Sequence, residues 1–394
     1  VNDKVTPYSH YYEIARQLAA SFMLDAAERD KAGGIPYAQL TLLRESGLLH
    51  LVVPKVYGGE GVPWSVLLRL VRIISQADSA LGHLLGYHYL AIASASYRSH
   101  AKHAEYYYIL SNNPQIFWGN AVNAASRSLK GKRQSDGGYL LNGVRPYCSG
   151  APGSDNLMIS WEDDENEVLL FGSIPTSRPG VKVNDDWDSF GQRQTGSGTT
   201  EFTDVRVEPS EVFDGEANSE RAYGTIGPLL SQSVLLNVFI GSAQGALAEA
   251  REYVREHARA WGTSGVEKAT DDPGIQRQFG ELYTQVAAAT ALADNALVAL
   301  DNAWSQGVEL GAETRGEAAV VIATANVFAG EVALEVSSKI FAIMGTRSTL
   351  RERGLDRFWR NVRVHTLHNP AEYKLRSVGR WYATGAYPEP GHYS

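Results

Sequence analysis

Three textures of hydrophobic and polar positions follow one another along the chain. In the first, apolar residues recur at helical spacing: Ile14, Leu18 and Phe22 fall at i, i+4 and i+8 and share one face. Gly33-Gly34 closes this segment. Pro36 opens the next, which carries Leu40 and Leu43 and stops near Gly47. Further helix is expected from Pro63 to about Gln76 and again beyond Tyr89.

Near Pro114 the period changes. Short apolar runs now alternate with turn residues. Gly137-Gly138 precedes Tyr139-Leu140-Leu141, and Asn142-Gly143 predicts a hairpin turn. Leu157–Trp161 and Val168–Ile174 flank the acidic stretch Glu162–Glu167 as a second hairpin, and Phe202–Val207 alternates as a half-buried strand. Beyond Gly227 the pattern is helical again. Ser231–Trp261, Gln276–Gln306 and Glu313–Met344 are proline-free and rich in Ala and Leu. Small residues there (Ala287, Ala288, Ala289, Ala323, Ala325 and Ala329) allow helices to approach closely, as in a bundle. The expectation is an α+β chain, mostly α: an N-terminal helical domain over 1–115, a middle β-barrel or sandwich domain over 116–226 and a C-terminal helical bundle over 227–394.

Composition narrows the function. The net charge of −8 comes from 36 basic and 44 acidic residues spread along the chain, with no basic face of the kind nucleic acid needs. Val234–Ile240 with its flanks is the longest apolar candidate, and Asn237, Gly241 and Gln244 interrupt it, so no membrane span is expected. Val1–Tyr12 is polar and lacks a secretory core. Cys148 is the sole cysteine, which fits a reducing cytoplasm and a small buried hydrophobe better than a nucleophile. The 8 Trp and 20 Tyr suit large flat ligands and oligomer interfaces alike. No G-x-G-x-x-G fingerprint marks a nicotinamide site.

Four segments occur in the order of the acyl-CoA dehydrogenase superfamily: Pro54–Gly61, Arg145-Pro146-Tyr147-Cys148-Ser149-Gly150, Arg193–Gly198 running into Phe202–Val207, and Arg360-Asn361. Within that superfamily, Gly82–His88, Trp118–Ala121, Asn184–Trp187 and Phe358–Pro370 resemble the dibenzothiophene monooxygenases. The resemblance implies a C-terminal four-helix bundle and a dimer-of-dimers homotetramer. It also implies a two-component enzyme that takes reduced FMN from a separate NADH:FMN oxidoreductase, with O2 as co-substrate and a small aromatic sulfur heterocycle as substrate. A dehydrogenase of this superfamily ends in Arg-Asp, six residues, then Tyr-Glu-Gly, and its glutamate removes a substrate proton. This chain has Arg360-Asn361, six residues, then His368-Asn369-Pro370, so Asn369 stands in the glutamate's place. An amide is not a base at neutral pH. An oxygenase needs instead a hydrogen-bond donor beside a C4a-hydroperoxyflavin, and a dry slot.

The resemblance makes His368 that donor, aided by His88, Ser149 and Asn120. Asn120, Tyr147, Ser149, Trp187, His365 and Asn369 are then expected to hold the flavin. Arg259, late in a long helix, is expected to reach the cofactor of a neighbouring subunit. Tyr87, His88, Trp118 and Trp187 are expected to line the substrate slot. No metal is expected, because His365 and His368 lack a neighbouring Asp, Glu or Cys ligand. From residue type alone, His368 also fits a packing histidine, His88 a core histidine, Ser149 a strand-end serine and Arg259 a solvated helix charge. Some dehydrogenases carry their glutamate elsewhere, so an FAD-dependent acyl-CoA dehydrogenase stays open. So does a hydroperoxyflavin oxygenase acting on a phenol, an indole or an amine. A DNA-attaching protein on the same scaffold would need a basic extension, and Trp381–Ser394 has none.

Overall fold

The computed structural model describes residues 7–98, 101–123, 125–213 and 221–391. Residues 1–6, 99–100, 124, 214–220 and 392–394 lie outside them.

Six helices come first: α1 (Ser9–Met23), α2 (Ala26–Ala32), α3 (Tyr37–Glu45), α4 (Trp64–Ala77), α5 (Ser79–Arg98) and α6 (Ala101–Ser111). The apolar stripe of the first segment is real, with Tyr12, Ala15 and Phe22 buried. Helix α5 begins at Ser79, ten residues before the expected point, and takes in Gly82 and Gly86. They are close-contact positions. A Cβ on Gly86 would stand 2.4 Å from Val234 Cγ1, and one on Gly82 would meet Ser75 Oγ at 1.9 Å. Packing here outweighs the propensity cost of about 1 kcal/mol per glycine.

Eight strands follow: β1 (Trp118–Ala121), β2 (Leu129–Arg133), β3 (Tyr139–Arg145), β4 (Asn156–Asp163), β5 (Leu169–Pro175), β6 (Val181–Val183), β7 (Thr200–Val207) and β8 (Val212–Phe213). They form one sheet in the order β6-β7-β3-β2-β4-β5-β8, with β1 pairing in parallel with β4. The β4–β5 hairpin is as expected, with Leu157 opposite Ile174. Asn142-Gly143 is not a turn. Strand β3 runs through it, and the register against β7 shifts between Leu141 and Gly143. Gly143 has φ 134°, and a Cβ there would stand 2.2 Å from Ser128 O, so the glycine serves a bulge. The hairpin turn lies one step earlier, where Gln134 N donates to Gly138 O.

Helices α7 (Gly227–Glu256), α8 (Pro273–Ser305) and α9 (Ala312–Met344) form the bundle, with α10 (Arg357–Thr366) and α11 (Ala371–Thr384) packed on α9. The close-packing alanines are Ala289, Ala293, Ala296, Ala325 and Ala329, whereas Ala287 and Ala288 face out. Helix α7 starts four residues early, with Pro228 in its first turn, and ends five residues before Trp261. Two helical stretches, Tyr223–Glu256 and Ala312–Met344, are long and apolar enough to cross a bilayer, contrary to the expectation of no such span. Their most apolar windows are 89% and 67% buried inside the protein, as core helices would be.

Candidate active site

A cavity of about 1430 Å³ opens where α5, α7, the sheet, the 187–197 segment and the end of α10 converge. Eight of the residues singled out from sequence line it: Tyr87, Asn120, Tyr147, Ser149, Trp187, His365, His368 and Asn369. Three do not.

Helix α5 supplies one wall. His83 and Tyr87 are four residues apart, hence on one face. Their rings stack at 4.3 Å, and His83 stacks on His365 of α10 at 4.7 Å. His83 is buried, and among the described residues neither of its ring nitrogens has a hydrogen-bond partner. Burial drives its pKa down to about 3, with His368 adding to the effect. His365 is held well below the usual histidine range by burial and by the two neighbouring imidazoles. His368 is lowered by desolvation and by the Lys374 ammonium. All three imidazoles are therefore neutral at pH 7.

His88, expected at this wall, is elsewhere. Five residues from His83 is a rotation of about 140° around the helix, which turns the ring into the core. Its Nε2 lies 2.8 Å from Leu49 O, and its Nδ1 accepts from Trp118 N at 3.0 Å. Both nitrogens are occupied by backbone, so His88 ties α5 to the first strand and to the turn after α3. Burial lowers its pKa to about 4. Trp118 also turns inward, packed on Tyr107 at 4.6 Å, and does not line the cavity. Arg259 is not in the long helix. It lies beyond α7, which ends at Glu256, and it is exposed and does not line this chain's cavity.

A second wall comes from the sheet and the segment after β6. Asn120 N donates to Ser149 O at 2.9 Å. The Ser149 hydroxyl lies 2.8 Å from that of Ser197, which lies 2.6 Å from that of Thr195. Thr195 Oγ1 donates to Gln192 O, and Trp187 Nε1 donates to the same carbonyl at 2.9 Å. Tyr147, at φ 60°, stands edge-on to Trp187 at 6.2 Å.

Gln192, which the sequence did not single out, joins these parts. It is buried at φ 51°, and its N–H donates to Asn361 Oδ1 at 2.6 Å. Its Nε2 lies 3.2 Å from Asn361 O, 3.1 Å from Ser79 Oγ and 3.2 Å from His365 Nδ1. A carbonyl only accepts, so the amide's donor end must face Asn361. Gln192 Oε1 is then left buried without a partner among the described residues. With Nδ1 of His365 accepting, that ring carries its proton on Nε2. Lys374 Nζ donates to Asn369 O, and burial lowers this lysine to about 8.

The acidic lining residues, Glu167 and Asp188, are both exposed. Among the described residues, the wall of three imidazoles carries no carboxylate. No group of three or more metal-binding side chains occurs among the described residues.

Residues 10–106 match the acyl-CoA dehydrogenase N-terminal domain, and 234–372 match the acyl-CoA dehydrogenase C-terminal domain. The chain is 40% identical to a dibenzothiophene monooxygenase of Rhodococcus erythropolis, over 96% of this chain and 94% of that one. It is 35% identical to a probable FMNH2-dependent monooxygenase, SfnC, of Pseudomonas putida, over 99% of this chain and 98% of that one. The structure of TdsC from Paenibacillus sp. A11-2 in complex with FMN and indole superposes with a TM-score of 0.93 at 34% identity, covering 97% of this chain and 99% of that one. The chain belongs to the acyl-CoA dehydrogenase superfamily and, within it, to the dibenzothiophene monooxygenase family of flavin-dependent monooxygenases.

Proposed function

We propose that this monooxygenase oxidises the sulfur of a fused-ring aromatic sulfide such as dibenzothiophene, to the sulfoxide and then the sulfone, with reduced FMN and O2. The observation that carries the reading is the wall of neutral imidazoles: His83, His365 and His368 face the cavity with no carboxylate among them. Removing a proton from carbon needs a base. Oxygenating a sulfide needs donors and dryness.

The residues fit a flavin. The His83 ring nitrogens and Gln192 Oε1 are buried without a partner among the described residues, and the hydroxyls of Ser149, Ser197 and Thr195 offer adaptable partners to ring carbonyls and a ribityl chain. Trp187 and Tyr147 provide flat walls. When bound, reduced FMN supplies the two electrons that activate O2. His368 and His83 each hold one N–H, because both rings are neutral, and each donates toward the oxygen to be transferred. His365 holds its proton on Nε2 through Gln192. Tyr87, Leu90, Ala91, Leu235 and Met158 line an apolar slot that keeps water out.

A homotetramer in the cytoplasm, served by a separate NADH:FMN reductase, belongs to the same reading. Exposed Arg259 then serves a partner's FMN phosphate, and Arg259→Ala should weaken FMN binding in the assembled protein.

The test supplies purified protein with FMN, NADH, a flavin reductase, O2 and dibenzothiophene, and follows products by chromatography. Sulfoxide followed by sulfone is expected. NADH consumption with no oxygenated product would overturn the substrate. Bleaching of a flavin-loaded sample by an acyl-CoA without O2 would instead indicate a dehydrogenase.

A further inference from the structure

The cavity runs the length of α5. His83, Tyr87, Leu90, Ala91, Ser94 and Arg98 all line it on one helical stripe. From His83 to Arg98 is 15 residues, about 22 Å of helix axis. A flavin ring system and a fused tricycle bound at the histidine end, as the proposed function has them, would leave the Arg98 end to another group.

Arg98 is unlike the other enclosed arginines. Arg29, Arg72, Arg178 and Arg357 each pair with a carboxylate within 3 Å: Asp78, Asp294, Glu211 and Glu249. Arg145 and Arg315 donate to backbone carbonyls instead. Arg98 makes no ion pair or hydrogen bond with a described residue, and its Nε is buried without a partner. Rings alone hold it, with Cζ 3.6 Å from the Phe171 centroid and 5.1 Å from that of Tyr97. Stacking fixes the guanidinium plane and leaves its edge, where the donors point, unused. Phe171 and Tyr97 are cavity residues as well, so that edge belongs to the cavity. The other lining arginine, Arg127, is committed to Glu162 at 3.3 Å. A fixed, half-enclosed guanidinium with idle donors matches a planar or tetrahedral oxyanion.

We propose that the Arg98 end of the cavity is an anion site that reads a carboxylate, sulfinate or sulfonate on the substrate, with the sulfur to be oxidised at the histidine end. The inference rests on the monooxygenase reading and narrows its substrate class from neutral sulfides to sulfides bearing a distal anion.

The test uses the full-length protein with oxidised FMN and calorimetric binding of ω-(phenylthio)alkanoates of increasing chain length, each beside its neutral primary amide. At one chain length the acid should bind about tenfold or more tightly than the amide, as expected for a charge-assisted bond. Arg98→Met should abolish that preference and leave amide affinity unchanged, which also reports that the variant is folded. Arg98→Lys should restore part of it. Equal affinity of acid and amide at every length, or a preference that survives Arg98→Met, overturns the proposal. So does inorganic sulfate binding as tightly as the best alkanoate, since the site would then take a free anion. Turnover of dibenzothiophene separates this from the function itself. If Arg98 reads only a distal anion, Arg98→Met oxidises this neutral substrate at the wild-type rate. Failure of the wild type to oxidise it would overturn the substrate reading above and leave the binding comparison intact.

Discussion

Two histidines on one helix have nearly the same burial and opposite employment. His83 and His88 sit five residues apart on α5, and burial holds both well below the ordinary histidine pKa. The ring of His88 is spent on Leu49 O and Trp118 N, while the ring of His83 has no hydrogen-bond partner among the described residues. Burial and a depressed pKa therefore do not mark a functional histidine. The state of its hydrogen bonds does, because an unpartnered buried polar atom costs free energy that a ligand can recover. The packing face of α5 is finished, and the cavity face is waiting.

The largest effect that would break this contrast is catalytic. His83→Phe and His368→Phe keep ring shape and remove the donors. Each should lower oxygenated product by about 100-fold or more, with FMN affinity nearly unchanged and NADH oxidation uncoupled from product. Wild-type product formation in either variant would remove that residue from the mechanism.

The converse substitution tests the other face. His88→Leu leaves a carbonyl and an amide unpaired in the core, at about 1–3 kcal/mol each. Denaturant unfolding should show a loss of about 2–6 kcal/mol, while turnover per folded molecule stays near wild type. A stable but inactive His88→Leu would return His88 to the active site.

pH sharpens the comparison further. A histidine whose folded pKa is about 3 takes up no proton between pH 6 and 4, whereas the unfolded chain does. Stability is thus complete above pH 6.5 and falls as the solution is acidified, by up to about 1.4 kcal/mol per pH unit for each such ring. His83→Phe removes one of these rings. Its stability should fall less steeply between pH 6 and 4 than that of wild type, and an unchanged slope would show that His83 ionises freely in the fold.

The smallest effect is one of positioning. Gln192→Leu deletes the amide that holds His365 Nδ1. Turnover should fall severalfold, equivalent to about 1 kcal/mol. The ¹⁵N shifts of His365 in the flavin-free protein should move toward a mixture of tautomers. Unmoved shifts would mean that another group sets the ring.

Much of the molecule was legible in the chain. The helix–sheet–helix order, the stripe on α1, the β4–β5 hairpin and the alanine-rich bundle follow from period and turn chemistry, which are local. Asn369 in the glutamate's place is a register count, and it excluded the usual base of this scaffold before any coordinate. Where local signals misled, contacts from elsewhere had won. Asn142-Gly143 has the composition of a turn, yet Ser128 and β7 make it a bulge. Helix was expected only beyond Tyr89, yet α5 runs through Gly82 and Gly86, which lie where it presses on α4 and α7.

The sequence by itself determined which chemistry was available: histidines near the C-terminus where the scaffold's glutamate is replaced by Asn369, and hydroxyls in the β segment. Only the tertiary structure decided which of them meet. His83 and Tyr87 share a face by their spacing, a signal present in the sequence, but whether that face met a cavity or the core depended on where α7 and α10 came to lie. Gln192 was invisible for the same reason. Its three side-chain partners lie 113 to 173 residues away along the chain, and no local pattern records them.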